Sequence, residues 1–195
     1  MFDILEILRQ AGFFKDFSTL SPNELLEIIH QKRIEGYSKI FGYRYEPEKE
    51  LNDQQLGLQD DKKMINIDLE ADVCAENKVY TWVLKAFAKI SNGHLQINDV
   101  EEIWETESGP IKLNFSLNEK KIELVAQYLG DWIDENVIKF LREEISKITD
   151  DSFHLCLGQN EEWFGQDVNY IRLTTSEKKL LEEKLHWKFF DTYMN

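Results

Sequence analysis

Apolar and polar positions alternate most regularly between Ile111 and Ala126. Ile111, Leu113, Phe115 and Leu117 are separated by Lys112, Asn114 and Ser116, the period of a strand with one buried face. Ile122, Leu124 and Ala126 resume the alternation after Asn118-Glu119. Asparagine tolerates the left-handed backbone of a tight turn, so the pattern predicts an antiparallel hairpin. The period then becomes helical: Ile133, Val137, Phe140, Leu141, Ile145 and Ile148 fall on one face. Asp131 or Asp134 can cap that helix, and a carboxylate suits its N-terminus.

The flanking pattern supplies the other elements. Phe2, Ile4, Leu5, Ile7 and Leu8 predict a short helix ended by Gly12. Ser21-Pro22-Asn23-Glu24 reads as a capping box with proline at the first helical position. The helix it starts carries Leu25, Leu26, Ile28, Ile29 and Ile34 and is expected to end near Glu35, before Gly36. Tyr37, Ile40, Phe41, Tyr43 and Tyr45 form an aromatic cluster expected in core or interface packing. Met64 to Glu70 reads as an edge strand, and Asp72 as the cap of the next helix. That helix is expected to turn Val79, Trp82, Val83, Ala86, Phe87 and Ile90 inward and to end at Asn92-Gly93. Leu95 and Ile97 suggest a short strand, and Val100, Ile103 and Trp104 lead on to the hairpin. Phe153, Leu155 and Leu157, then Val168, Tyr170 and Arg172, mark two later strands joined by a polar loop holding Trp163 and Phe164. Thr174 to Glu177 repeats the capping box and starts a last helix with Leu180, Leu181 and Leu185 inward. Trp187, Phe189, Phe190 and Tyr193 form an apolar tail expected to dock on the body.

Helices come first, and strands then pair by hairpins rather than alternating with helices. The expectation is an α+β fold: a mainly antiparallel sheet with hairpins packed against amphipathic helices, after a helical N-terminal segment. Residues 1–45 are that segment, 46–62 a linker or long loop, and 63–195 an α+β body, together one compact domain.

Composition narrows the function classes. The 195 residues are 42% hydrophobic, enough for one domain with a real core. No apolar run reaches the length of a membrane-spanning helix. MFDILEILRQ carries Asp3 and Glu6 where a signal peptide would be basic and then apolar, so a cytoplasmic protein is expected. Cys74 and Cys156 make neither a disulfide framework nor a zinc pattern. The net charge of −14 opposes nucleic acid and anionic membranes and favours a basic partner.

Glycine-rich phosphate loops, HExxH, GxSxG and the EF-hand loop are absent. His154 and Cys156 would share a strand face, a Cys–His pair on paper, though such a pair is far more often structural. No catalytic, cofactor-binding or metal-ligating residue is assigned, and no cofactor is expected. Two acidic clusters stand out instead. Asp99, Glu101, Glu102, Glu105 and Glu107 surround Trp104 with no lysine or arginine among them. Asp150, Asp151, Glu161, Glu162 and Asp167 surround Trp163 and Phe164. Crowded like charges cost stability, so each cluster is a candidate docking face with an aromatic anchor. The competing reading is a solvated loop with its tryptophans turned inward. The candidate partner-binding residues are Asp99, Glu101, Glu102, Trp104, Glu105, Glu107, Glu161, Glu162 and Trp163.

The segments VYTWVLKAFAKISNGHLQI, IKLNFSLNEKKIEL, GDWIDENVIKFL and LTTSEKKLL resemble, in their order, bacterial immunity proteins encoded beside polymorphic or contact-dependent toxins. The resemblance covers roughly the last two-thirds of the chain, and its motifs are structural: a GDW helix start and an LT cap. It implies a cytoplasmic inhibitor that occludes a cognate toxin domain and carries no catalytic residues over. Two other readings compete: an enzyme with a carboxylate or metal site outside known motifs, and an adaptor that adds a peptide strand to the Met64–Glu70 edge.

Overall fold

The central hairpin forms as the alternation predicts. In the computed structural model, which describes residues 1–160 and 165–190, β3 (Ile111–Leu117) and β4 (Lys120–Ala126) pair antiparallel around Asn118 and Glu119. Both turn residues have positive φ, the two-residue turn whose twist matches the strands. Asn118 also accepts the Gln96 N–H at 2.8 Å and donates to the His94 carbonyl at 2.9 Å. These bonds bring in β2 (Ile97–Trp104) as the third strand of the sheet β2-β3-β4. β2 is longer than the short strand its pattern predicts. A bulge between Asn98 and Glu101, with Asp99 at positive φ, breaks the alternation that would have announced it.

The second sheet has the order β1-β6-β5-β7, all antiparallel. Its strands are β1 (Met64–Asp68), β5 (Ser152–Gly158), β6 (Asp167–Leu173) and β7 (Lys188–Phe190). Period-two alternation gives this sheet two apolar faces and the molecule two cores. Ile67, Phe153, Leu155, Val168 and Tyr170 face α4 (Val79–Ile90) and α5 (Glu135–Ser146), which the three-stranded sheet covers on their far side. Met64, Cys156, Ile171 and Leu173 face α1 (Phe2–Gln10), α2 (Pro22–Phe41), α3 (Asp53–Gly57) and α6 (Thr175–Leu185). The fold is α+β. Among the described residues no helix is long and apolar enough to cross a membrane.

Four expectations are corrected. α2 runs through Gly36 to Phe41; a glycine inside an exposed helix costs only about 1 kcal/mol. The stop is Gly42, left-handed at φ 74, with its N–H on the Ser38 carbonyl. The stretch 46–62 is no plain linker, because α3 lies in it behind an Asn52/Gln55 capping box. Leu56 is fully buried, and Asp53 accepts the Trp187 indole N–H at 2.8 Å. Of the core or interface packing expected for the aromatic cluster at the end of α2, the core half fails: Tyr37, Ile40, Phe41, Tyr43 and Tyr45 are all exposed. Asp72 does not cap α4. It sits at positive φ, outside the extended conformation a cap needs, well before Val79.

The capping boxes at Ser21/Glu24 and Thr174/Glu177 form as read. Glu177 also takes the ammonium of Lys63, a buried side chain, at 2.8 Å. Gly12, at φ 79, leaves room for that pair: a Cβ there would lie 2.3 Å from the Glu177 carboxylate. Burial first, then the positive charge of Arg172, pushes the Lys63 amine down to about 8. Trp187 is buried and β7 completes the sheet, so the tail docks as far as Phe190; Tyr193 lies outside the described residues.

Candidate functional site

Because residues 97–104 are a strand, the first acidic cluster is divided between two faces. Glu102 and Trp104 lie opposite Leu113 and Ile111, on the side that covers the core. The Glu102 carboxylate accepts the backbone N–H of Thr81 at 3.0 Å, its hydroxyl at 3.2 Å and the Trp104 indole N–H at 3.2 Å. Thr81 is the third residue of α4, and Lys78 before the helix offers no side-chain cap. A carboxylate from the neighbouring strand therefore fills the missing cap and meets the positive end of the helix. Glu102 and Trp104 are thus tied to the framework.

Asp99 and Glu101 belong to the other, outward face. They line a shallow groove of about 640 Å³ with Glu119 and Glu123, where Lys121 is the one cation. Glu105 pairs with Lys112 at 2.5 Å, and Glu107 is exposed in the turn before β3. Glu161, Glu162 and Trp163 lie outside the described residues. Asp151 is buried against Arg172 at 2.6 Å, and Arg172 in turn donates to the Ile90 carbonyl at the end of α4. Asp151 thus holds the arginine that ties the sheet to a helix.

Sequence reasoning missed the larger pattern. Three stretches hold carboxylates and not one lysine or arginine: four in 65–77, five in 99–111 and three in 126–138. The fold brings them to one end of the molecule. Ile133 donates to the Leu69 carbonyl at 2.9 Å and Ala71 to the Asp131 carbonyl at 2.8 Å. The Tyr128 ring meets Trp104 edge-on at 5.9 Å. Underneath, the Tyr80 hydroxyl accepts the Asp134 N–H at 2.9 Å and donates to the Gln127 carbonyl at 3.5 Å. Asp134, itself buried, caps α5 through the Asn136 N–H at 3.0 Å and accepts the Gln127 N–H at 2.8 Å. Burial, reinforced by the charges of Asp134 and Glu102, pushes the Tyr80 phenol up to about 12, so it stays a neutral donor.

On this framework stand large exposed side chains. Trp82 is 49% exposed and Trp132 44%, with Tyr128 and Leu129 between 126 and 133. Trp82 was expected inward. Val79, Val83, Phe87 and Ile90 are buried as expected, but Tyr80 and Leu84 complete the stripe in place of Trp82 and Ala86. Exposed carboxylates accompany the rings, Glu70 and Asp131 on the paired segments and Glu107 on the turn. The absence of basic residues in each stretch was visible in the sequence; their convergence was not.

Cys156, the candidate nucleophile, is buried on the second sheet. Burial pushes the Cys156 thiol up to about 12, the opposite of an activated nucleophile. No group of three or more His, Cys, Asp or Glu side chains that could hold a metal occurs among the described residues. β1 is an edge strand as expected, but residues 69–71 beyond it are already bonded to 131–133, which shortens any edge open to a peptide. The arrangement is acidic, underlain by buried hydrogen bonds and studded with exposed rings. Comparisons with protein-family models, curated proteins and solved structures find no match for this chain.

Proposed function

We propose that this chain is a non-catalytic binding protein for a basic protein and, following the resemblance in its last two-thirds, an immunity protein that neutralises a cognate toxin by covering its active site. The supporting observation is the convergence of the three basic-free stretches around Trp82, Tyr128 and Trp132. Exposed carboxylates such as Glu70, Glu107 and Asp131 speed the encounter with a cationic surface. Exposed tryptophan and tyrosine on a rigid base supply the anchors that hold it. The acidic groove with Asp99, Glu101, Glu119 and Glu123 extends the same charge along the outer sheet.

The test is titration of the purified chain against the product of the adjacent gene, at low and moderate salt. A one-to-one complex weakened by salt is expected. Trp132→Ala should weaken it about tenfold or more, and Glu105→Lys with Glu107→Lys should slow association. Glu102 is a poor probe, because its loss would uncap α4. Absence of binding, or binding indifferent to Trp132 and to salt, overturns the reading.

A further inference from the structure

α2 overshoots the core it serves. Leu25, Ile29 and Ile34 are buried, but the last two turns stand clear of the body. Ile40 is 76% exposed and Tyr43 63%. Tyr37, Phe41 and Tyr43 form a stack, with centroids 6.2 and 5.8 Å apart and planes within 11° and 23°. Tyr45 tilts onto Phe41 at 5.0 Å. The returning strand of chain is pinned by the Tyr45 N–H on the Ser38 hydroxyl at 2.9 Å. Five large apolar side chains are thus gathered on a preformed tip and left in water, which in a soluble protein marks an interaction site.

The tip is also free of the molecule's acidic excess. Between Tyr37 and Tyr45 the charged residues are Lys39 and Arg44, both exposed; Glu35 and Glu46 flank the stretch, and Arg44 lies 3.9 Å from Glu46 in an exposed pair that a partner carboxylate can replace. Tyrosine, phenylalanine and arginine are the residue types enriched in interface anchors. The complementary surface is present on the same chain: the acidic end with exposed Trp82, Tyr128 and Trp132 and no lysine or arginine in its three stretches.

We propose that the α2 tip of one copy docks on the acidic aromatic end of a second copy. Cations then meet carboxylates and rings meet rings. A tip-to-tip pair would instead crowd Lys39 and Arg44 against their own copies, and a nucleic acid strand would face a body of charge −14. Tip and end are different patches, so a single contact leaves one free tip and one free end; two copies can close on each other, or further copies can add, and assembly grows with concentration. The inference needs the acidic end as a surface but no toxin, and it is tested on the purified chain alone.

Sedimentation velocity of the full chain, from micromolar to near-millimolar concentration, reads it out. At low salt the average size should rise steadily with concentration, and high salt should return the monomer. A tip variant (Phe41→Ala, Tyr43→Ala, Arg44→Ala) and an end variant (Trp132→Ala, Glu107→Ala) should each associate at least about tenfold more weakly. Mixed, they should form a one-to-one pair and nothing larger, since one intact tip and one intact end remain. A monomer throughout at low salt overturns the proposal, as does association that survives in the tip variant or in the end variant. A chain that stays monomeric yet binds its basic partner would remove this proposal and leave the proposed function standing.

Discussion

The acidic end and the α2 tip both expose aromatic rings, and they are built in opposite ways. The acidic end lies over a lattice of buried bonds: Tyr80 with Asp134, Asp134 with Gln127, Glu102 with Thr81, Ile133 with Leu69. Its residues serve the fold and the surface together. The tip is held by exposed bonds, the Tyr45 N–H on Ser38 and the Arg33 guanidinium on the Glu48 carbonyl, and among the described residues its rings contact chiefly one another. At the first region a loss of binding must be separated from a loss of folding. At the second it need not be, so exposure with independence is the cleaner mark of a surface kept for a partner.

The contrast can be broken most forcefully at Asp134. Its carboxylate is buried and caps α5 while holding the Gln127 N–H. Asp134→Ala removes the cap and orphans a donor, and should lower stability by about 3 kcal/mol in chemical denaturation. A loss below about 1 kcal/mol would show that the lattice under the acidic end matters little.

Lys63, in the core that carries the tip, gives the next effect and has a definite sign. Its amine binds a proton less readily in the folded chain, near 8, than in the unfolded chain, near 10.5. Between those values the unfolded state holds more protons, so stability from this group rises with pH across the window. The wild type should gain up to about 2 kcal/mol over Lys63→Met between pH 8 and about 9.5. A difference that stays flat or falls would mean that the pair with Glu177 outweighs burial. The smallest effect belongs to the tip: Tyr43→Ala or Ile40→Ser should change stability by less than about 0.5 kcal/mol. A larger loss would mean that the cluster supports the fold after all.

Where local chemistry decides structure, the sequence was legible. Two capping boxes, the Asn118-Glu119 turn and the α5 stripe all lie within a few residues of what they determine. The α+β class follows from them. What could not be read depends on distant partners. The bulge at Asp99 hid β2 by breaking its period. Gly36 looked like a helix end because only the backbone separates it from Gly42. The site was half legible for the same reason. Asp99 to Glu107 was visible as a run of charge, yet pairing assigned Glu102 inward, and Trp82, Tyr128 and Trp132 gain meaning only when 65–77 and 126–138 meet beside it.

The cap on α4 carries a last consequence. The residue that marks the start of this helix stands on a strand 21 positions later in the chain. The boundary of α4 is therefore information held jointly by two elements, and the segment 79–90 taken alone would not contain it. A change at position 102 would be expressed as a change in where a different element begins. Two tryptophans would report it: Trp82 beside that boundary, and Trp104, whose indole shares the same carboxylate.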